Sequence, residues 1–390
     1  MIKVLFLSAW YPNRYDSMAG LFVQKHAEAV SLFCDVALIY VHSDEQISKQ
    51  EIHVTSEKGF LEIRIYYPSF GQSSINKFLK QYYYFKAYKH GFKLLFKTWG
   101  KPEIIQANVF TRTAIIALII KFIYDIPYLM IEHWTRYFRE KTFRNILHKK
   151  ITIYTAKKAS VIMPVTNHLK NCMVNHGMKN SNFITINNVV ENIFFNEIAK
   201  PDSDKIRILN VTCFDDAQKN LSGILNVIYV LSKHREDFEV YLVGDGVDFE
   251  YIKSLSITLN LYNRFVFFTG IKTGKELVEI YQKSNFTVLF SNYENIPVVI
   301  SESLVCGKPV LSSNVGGICE HINITNGILI DAGDENALLE KMNYLLDHFE
   351  DYDLNRIKTE AKEKYSYESL GKKLNEIYKD IKNNEVRYNN

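Results

Sequence analysis

The chain has 390 residues, of which 47% are hydrophobic and 23% charged, close to the average of globular proteins, so wholesale disorder is excluded. Only 8 prolines and 17 glycines are present, which also excludes collagen-like and flexible-linker chains. The formal net charge of +4 hides a division, because residues 1–200 carry a net charge of +12 and the remainder a net charge of −8. Such an asymmetry indicates a polyanionic partner for one half only.

Cysteine usage and apolar runs indicate the compartment. The five cysteines are scattered and include no C-x-x-C pair, so neither a disulfide framework nor a zinc cluster is expected and a reducing cytosol fits best. The apolar run at residues 1–8 is too short for a secretory signal and is typical of a buried first strand. The longest apolar stretch, residues 113–131, is broken by Lys121 and Asp125, so no transmembrane segment is expected.

Short β-branched or aromatic runs alternate with helical patterns from end to end. Strands are predicted at residues 3–8, 36–40, 61–67, 104–107, 128–132, 161–165, 183–186, 206–212, 239–243, 266–268, 286–290 and 309–312. Helices are predicted between them, including residues 20–32, 219–233, 274–283 and 298–306. Because most strand runs are apolar without alternation, they fit parallel strands covered on both faces. The β-α-β-α order therefore predicts doubly wound sheets.

A polar stretch at residues 199–205 precedes a second series of strands, which predicts two domains. The first covers residues 1–198 and the second residues 199–365, and we expect a C-terminal helix at 366–390 to pack back on the first domain. The predicted fold class is α/β, with two doubly wound Rossmann-like domains facing a cleft. Ligands bind at the carboxyl ends of the strands in such folds.

Two carboxylates follow the predicted strand at residues 286–290. Glu294 lies in the loop and Glu302 lies inside the next helix, whose first turn suits Pro297. Both carboxylates can accept hydrogen bonds from the hydroxyls of a polyol ligand, while the helix N-terminus faces its anionic part. Taken alone, these residues fit at least as well a helix-dipole carboxylate at Glu294 and a solvated one at Glu302.

The context of this pair resembles glycosyltransferase family 4. The Glu-x7-Glu spacing of Glu294 and Glu302 is followed by a Gly-x-Pro-Val turn and a Gly-Gly loop, as in that family. Further matching segments, in the family's order, are Asn188-Val189-Val190 with Phe194 or Phe195, Lys219-Asn220, Gly244-Asp245-Gly246, Phe268-Thr269-Gly270, Glu276-Leu277, Gly307-Lys308-Pro309-Val310 and Gly316-Gly317. The resemblance implies the two-domain GT-B fold, a nucleotide-sugar donor and net retention at the anomeric carbon.

The resemblance also implies roles for individual residues. Catalytic roles fall to His133, which would contact the transferred sugar, and to Glu294. Lys219 would meet the donor diphosphate, although Thr212-Cys213-Phe214 stands where the family commonly has a second, arginine partner. The other implied donor-binding residues are Gly20, Gly244, Gly246, Ile271, Asn295, Ile296, Pro297, Val298 and Glu302.

Each of these residues also has an ordinary structural interpretation. Lys219 could be a solvated lysine at a helix start, and His133 a structural histidine. The glycines could belong to tight turns, or in the case of Gly20 to a plain helix entry.

No cofactor is expected, and the nucleotide sugar would be a substrate. Positive charge and helix N-termini at Lys219, Gly20 and Pro297 would counter the charge growing on the leaving diphosphate, so the reaction is expected to be metal-independent. The Asp-x-Asp at Asp351 and Asp353 lies in a charged late segment and favours a solvated face over a metal site.

Residues 76–101 form a basic, aromatic-rich stretch with seven lysines and no acid. This pattern is typical of helices that lie in an anionic lipid interface, and equally of a core helix with a solvated lysine face. No nucleic-acid-binding motif accompanies it, so nucleic acid is not expected as a partner.

The sequence therefore predicts a retaining, hexosyltransferase-type enzyme that transfers a sugar from a nucleotide-sugar donor to a glycan or lipid-linked acceptor in surface polysaccharide biosynthesis. A nucleotide-sugar epimerase or hydrolase of the same fold, and a non-catalytic sugar-binding subunit, remain alternatives. The expected location is the cytoplasm, with peripheral docking on the inner face of the cytoplasmic membrane through residues 76–101.

Overall fold

The structure, a computed structural model, describes residues 1–69, 74–110, 112–195 and 204–383. It divides into two compact units. The first contains Met1–Val165, Lys170–Val189 and the chain from Tyr367 onward, and the second contains Thr166–Leu169 and Val190–Ser366. The predicted boundary between residues 198 and 199 lies outside the described residues.

The first unit is built on a seven-stranded sheet with the order β3-β4-β2-β1-β5-β6-β7. Its strands are β1 (Lys3–Ser8), β2 (Asp35–Asp44), β3 (Glu51–Thr55), β4 (Leu61–Pro68), β5 (Ile104–Asn108), β6 (Tyr128–Glu132) and β7 (Ile162–Pro164). All pairs are parallel except β3 with β4 at the edge. The strands β5 and β6 are buried along their whole length, and this burial includes the polar residues Gln106, Asn108 and Glu132.

Helices cover both faces of this sheet. They are α1 (Leu21–Ser31), α2 (Ser74–Thr98), α3 (Arg112–Tyr124), α4 (Ile146–Lys158) and α5 (Asn167–Asn175). In α2, Tyr84, Tyr88, Phe92 and Leu95 are buried in the core. The core-helix interpretation of the basic stretch therefore explains three of its nine aromatic residues.

The second unit has a six-stranded parallel sheet with the order β10-β9-β8-β11-β12-β13. Its strands are β8 (Ile206–Val211), β9 (Phe238–Val243), β10 (Val266–Gly270), β11 (Phe286–Leu289), β12 (Val310–Ser313) and β13 (Gly327–Ile330). Its helices are α6 (Asp216–Lys219), α7 (Leu221–Leu231), α8 (Phe249–Thr258), α9 (Gly274–Lys283), α10 (Val298–Val305), α11 (Glu335–His348) and α12 (Leu354–Tyr365). The sheet therefore has the doubly wound form.

The last helix, α13 (Tyr367–Lys382), belongs to the first unit. Its buried Leu370, Leu374, Ile377 and Tyr378 join the core cluster that contains residues of β1, β2 and α1. In addition, the Tyr378 hydroxyl donates a hydrogen bond to Gln106 of β5. Within the described ranges, no helix combines the length and apolar character needed to cross a membrane.

Two predicted elements differ from the structure. Residues 183–186 form no strand, although the backbone N–H groups of Ile184 and Ile186 donate to carbonyls in β7. The predicted helix over residues 219–233 is broken at Asn220, which has a left-handed φ of 50° and caps α7 with its side chain. Lys219 therefore ends the single turn α6 instead of opening the longer helix.

Candidate functional site

Lys219 and Glu294 form an ion pair at the carboxyl edge of the second sheet. The Lys219 Nζ donates to Glu294 Oε1, and the Ser291 Oγ donates to the same oxygen at 3.3 Å. Only 13% of the lysine side chain and 9% of the glutamate side chain are exposed. Because water is largely excluded, each charge depends on the other for its stabilisation.

The loop that carries Glu294 is fastened to α6, which carries Lys219. The backbone N–H of Asn292 donates to the Gln218 carbonyl at 2.8 Å, and the Asn292 side chain donates to the Ala217 carbonyl at 3.0 Å. The Gln218 side chain in turn donates to the Tyr293 carbonyl at 3.3 Å. These bonds join the end of β11 to the connection after β8, so the ion pair rests on two neighbouring strands.

Asn295 is held in place by two further segments of the second unit. Its side-chain oxygen accepts from Thr166 Oγ1 at 3.0 Å, and its carbonyl accepts from Gly317 N–H at 2.8 Å. Gly316 has a left-handed φ of 58°, and a Cβ there would lie 1.9 Å from the Glu294 carbonyl oxygen. The Gly-Gly loop therefore packs directly against the loop of the two carboxylates, where only glycine fits.

Glu302 lies inside α10 and is buried, so the solvated-face interpretation of this residue is wrong. Its Oε2 accepts a hydrogen bond from the Tyr281 hydroxyl at 3.1 Å. Burial, reinforced by the Glu302 charge, raises the Tyr281 pKa well above its usual value, so the phenol keeps its proton and donates. Pro297 is the residue before the first turn of α10, and the half-buried Ile296 and Val298 flank it.

Gly244 and Gly246 follow β9 and pack against the connection after β8. A Cβ at Gly246 would lie 2.5 Å from the Phe214 carbonyl oxygen, and one at Gly244 would lie 1.8 Å from the Thr212 oxygen. The Gly244 N–H also donates to the Gly270 carbonyl at 2.9 Å. These close approaches explain on structural grounds why both positions are occupied by glycine. Ile271, the next residue after Gly270, is 68% exposed at the same edge.

Gly20 and His133 lie near each other at the carboxyl edge of the first sheet. Gly20 precedes α1 in a left-handed conformation, and a Cβ there would lie 2.2 Å from the Trp10 carbonyl oxygen. The His133 ring stacks on Phe22 of α1, with the ring centroids 3.9 Å apart. Burial, together with the neighbouring His26, holds the His133 pKa well below its usual value. His133 is therefore a neutral imidazole at pH 7, able to exchange hydrogen bonds but not to supply positive charge.

Glu132, just before His133, is a buried hydrogen-bond acceptor at this edge of the sheet. It is fully buried, and its carboxyl group accepts backbone N–H bonds from Phe110, His133 and Trp134, each at 2.9 Å. Burial raises its pKa to about 7, and the backbone N–H bonds oppose that rise. Glu132 thus joins the segments that follow β5 and β6.

The pKa shifts of His26 and Glu132 have opposite consequences for the stability of the first unit. Burial lowers the His26 pKa from 6.5 to about 4, so its contribution to stability is present above pH 6.5 and is lost as the pH falls through 4. The Glu132 pKa is raised from 4.5 to about 7, so its contribution is present below pH 4.5 and is lost as the pH rises through 7. Each contribution is on the order of 3 kcal/mol.

Replacing His26 by phenylalanine should remove the His26 contribution to the pH dependence of stability. Relative to the wild type, the variant should gain about 3 kcal/mol in free energy of unfolding as the pH falls from 7.5 to 4. All three tryptophans, Trp10, Trp99 and Trp134, lie in the first unit, so urea unfolding followed by tryptophan fluorescence measures that unit. A difference between the two proteins that does not vary with pH would contradict the assignment of His26 as a buried neutral group.

The structure thus gathers the predicted residues at two sheet edges. Within the second unit it brings together Lys219, Glu294 and Asn295, and within the first it brings together Gly20 and His133. Sequence reasoning assigned no role to Thr166, Tyr281 or Glu132. Thr166 donates to Asn295, Tyr281 donates to Glu302, and Glu132 joins the segments that follow β5 and β6. Only Glu132 carried a signal, as a charged residue at the end of an apolar strand run.

Comparison with known proteins identifies the second unit. Residues 192–364 match the family described as glycosyl transferases group 1. Two uncharacterised glycosyltransferases of Methanocaldococcus jannaschii are 28% and 26% identical. The first match covers 40% of this chain and 41% of the relative, and the second covers 79% and 83%. The lipopolysaccharide 1,6-galactosyltransferase of Escherichia coli is 26% identical over 50% of this chain and 55% of its own length.

The second unit is therefore similar to the group 1 glycosyl transferases over most of its length. The match covers residues 192–364 and agrees with the resemblance to glycosyltransferase family 4.

Solved structures with low identity share the fold along nearly the whole chain. Sucrose-phosphate synthase from Thermosynechococcus elongatus superposes with a TM-score of 0.72 at 18% identity, covering 98% of this chain and 99% of that chain. The Anabaena protein HepE, solved in complex with UDP and glucose, gives a TM-score of 0.68 at 16% identity, covering 97% and 100%. The predicted α/β fold class with two Rossmann-like domains, GT-B, is confirmed.

Proposed function

We propose that the protein is a retaining glycosyltransferase that transfers a hexose from a nucleotide sugar to a glycan or lipid-linked acceptor in surface polysaccharide biosynthesis. The observation that carries the proposal is the water-excluded Lys219–Glu294 pair, held beside the N-terminus of α10 in a glycosyltransferase domain. HepE, which shares the fold, has been solved with UDP and glucose, and the lipopolysaccharide galactosyltransferase is a relative. Both support a nucleotide-sugar donor and a surface-glycan product.

The reaction breaks the bond between the anomeric carbon of the donor sugar and its diphosphate oxygen. The diphosphate leaves with the bonding electron pair, and Lys219 and the first N–H groups of α10 are suited to counter its negative charge. An acceptor hydroxyl forms the new bond on the same face of the sugar, and its proton goes to the leaving diphosphate. Glu294 and Glu302 accept hydrogen bonds from donor hydroxyls, and neutral His133 binds the transferred sugar.

A panel of nucleotide sugars tests this proposal in two stages. A donor present at a hundred times its Kd should raise the free energy of unfolding by about 2.7 kcal/mol, which a thermal-shift assay detects. Product formation that depends on an added acceptor then separates a transferase from an epimerase or hydrolase. A protein that binds donors but neither transfers nor hydrolyses them would instead be a non-catalytic sugar-binding subunit. The feature that favours this alternative is the exposed Cys213, which stands where the family commonly has an arginine.

The proposed reaction needs no metal ion, because Lys219 and α10 can balance the leaving charge. Of the two aspartates in the Asp-x-Asp segment, Asp353 caps α12 through the Arg356 N–H, and Asp351 lies 3.0 Å from His348 Nδ1. In the described ranges no group of three histidine, cysteine or acidic residues is placed to hold a metal. We expect transfer to persist in excess chelator. A loss that Mg²⁺ or Mn²⁺ restores would contradict this.

Docking of the first unit on an anionic membrane completes the proposed function. Phe78 of α2 is 75% exposed, and Phe122 and Ile123 of α3 are 64% and 63% exposed. An apolar groove of about 650 Å³ runs between the two helices, and Lys89 and Lys93 are among its lining residues. Apolar side chains beside lysines fit the interface of a negatively charged bilayer.

Sedimentation with vesicles tests the membrane contact. The protein should bind vesicles that contain phosphatidylglycerol but not vesicles of phosphatidylcholine alone. Changing Lys86, Lys89 and Lys93 to glutamine should weaken binding by roughly 1 kcal/mol per lysine. The matched control changes Lys253, Lys275 and Lys341 of the second unit to glutamine. Equal binding to both vesicle types, or equal losses in both variants, would refute the contact.

A further inference from the structure

The first unit contains a cavity that the mechanism above does not use. Its volume is about 640 Å³, and it lies at the carboxyl ends of β1, β2, β4, β5 and β6, where ligands bind in doubly wound sheets. Helices α2, α3 and α4 contribute its remaining walls. All its lining residues belong to the first unit, so the cavity is complete within that domain.

Positive charge dominates the lining of this cavity. Lys80, Arg112, Arg136 and Arg144 line it, together with two histidines, and among the described residues no aspartate or glutamate does. Within the described ranges none of the four cations is in a salt bridge, whereas Arg14, just outside the cavity, pairs with Asp44 at 3.1 Å. Four cations around one concave space favour the binding of an anion.

The histidines of the cavity respond to this charge. Burial lowers the His148 pKa, and Arg136 and Arg144 lower it further by repelling the imidazolium. Burial and Lys80 likewise lower the His42 pKa, against the opposing pull of Asp44. Lys80, Arg136 and Arg144 therefore lie close enough to the two histidines of the cavity to lower their pKa values.

Aromatic rings and backbone contacts hold two of the arginines in place. The Arg136 guanidinium lies 4.5 Å from the Trp134 ring centroid and donates to the Thr142 carbonyl at 2.6 Å. The Arg112 guanidinium lies 5.3 Å from the Tyr84 ring centroid. Trp134 also meets Trp10 edge-on with the centroids 5.1 Å apart, which gives the cavity an aromatic wall. Preorganised guanidinium groups suit the several oxygens of a phosphoryl group better than a single carboxylate.

We propose that this cavity binds the phosphate or diphosphate group of the acceptor, so that the enzyme glycosylates a phosphorylated acceptor. The inference deepens the proposed function and rests on it, because the bound group belongs to an acceptor only if the protein transfers a sugar. The cations bind the anionic group, and the wall formed by Trp10 and Trp134 is suited to pack against the attached sugar. This assignment also gives the net charge of +12 on residues 1–200 a specific partner.

Titration with inorganic pyrophosphate, followed by tryptophan fluorescence, tests the cavity because Trp10 and Trp134 line it. Arg144→Ala and Arg112→Ala should each weaken binding by about tenfold or more. Arg144 is exposed and its side chain makes no hydrogen bond within the described residues, so its variant should fold. Arg139→Ala, which removes an exposed arginine outside the cavity, is the matched control.

The donor site could also bind pyrophosphate, and Lys219→Ala separates the two sites. Loss of the fluorescence response in Lys219→Ala, with unchanged affinity in both cavity variants, would overturn the inference. UDP binding by the wild type tests the proposed function separately. A protein that binds UDP but shows no cavity-dependent pyrophosphate binding therefore contradicts only the present inference.

Farnesyl diphosphate, titrated in the same way, distinguishes the source of the phosphoryl group. An affinity equal to that of pyrophosphate indicates a water-soluble phosphorylated acceptor. A much higher affinity, lost in Arg144→Ala, indicates a lipid-linked diphosphate. Both results support the cavity as a phosphoryl site, whereas an affinity that none of the cavity variants changes contradicts it.

Discussion

Replacing Glu294 by alanine is expected to lower the rate of sugar transfer by about 100-fold or more. The substitution removes a carboxylate placed for the donor sugar and leaves Lys219 with only 13% of its side chain exposed and no counter-charge. An unpaired buried charge of this kind costs about 3–5 kcal/mol, so stability should fall as well. Acceptor-dependent transfer, measured with the best donor of the panel, gives the first effect, and the thermal unfolding midpoint gives the second.

A second set of variants separates the chemical role of the pair from its structural one. Replacing both partners, Lys219→Met with Glu294→Leu, removes both charges and should restore much of the stability lost in Glu294→Ala, because apolar residues can substitute for a buried ion pair. Transfer should stay low in the double variant. Glu340→Ala, at an exposed glutamate of α11, is the control and should behave as the wild type. Near-normal transfer in Glu294→Ala would contradict the catalytic role proposed for Glu294.

The strands could be predicted wherever burial on both faces makes the sequence continuously apolar. The predicted strand at residues 128–132 matches β6 residue for residue. The edge strand β3 was missed because four of its five residues are exposed and its sequence, Glu51–Thr55, mixes polar and apolar side chains. β13 was missed because it begins with Gly327, a residue that weakens a strand pattern.

The candidate site could be predicted only as far as its motifs are local. Glu294, Pro297 and Glu302 lie on one short segment, so their relation follows from the sequence. The contact of Lys219 with Glu294 does not, because it depends on β8 and β11 being neighbours in the sheet. The broken helix at Asn220 was also not predictable, since its αL conformation is set by side-chain capping of α7.

The cavity lined by Lys80, Arg112, Arg136 and Arg144 was even less predictable from the sequence. Arg112 is isolated in the sequence, and Arg136 and Arg144 lie in a short basic stretch with Arg139 and Lys141 that matches no motif. They line one space only because parallel strands end at the same edge and the following helices pack beside one another. Composition detected the excess charge, but only the topology shows where it collects.

Replacing Leu374 of α13 by alanine should destabilise the first unit by about 2–5 kcal/mol. Leu374 is fully buried in the core cluster that α13 shares with β1, β2 and α1. Nearby, a Cβ at Gly371 would lie 2.3 Å from the Ala29 carbonyl oxygen, so α13 and α1 pack too closely to move into the space that Leu374 leaves. The cavity created by the substitution should therefore stay open, which places the cost toward the upper part of this range.

Tryptophan fluorescence during urea unfolding measures this loss in the first unit alone, because Trp10, Trp99 and Trp134 all lie there. The control is Lys372→Ala on the same helix, where an exposed lysine pairs with Glu368 and the expected cost is below about 1 kcal/mol. If Leu374→Ala lowers the unfolding midpoint no more than Lys372→Ala does, then the C-terminal helix is not part of the core of the first unit.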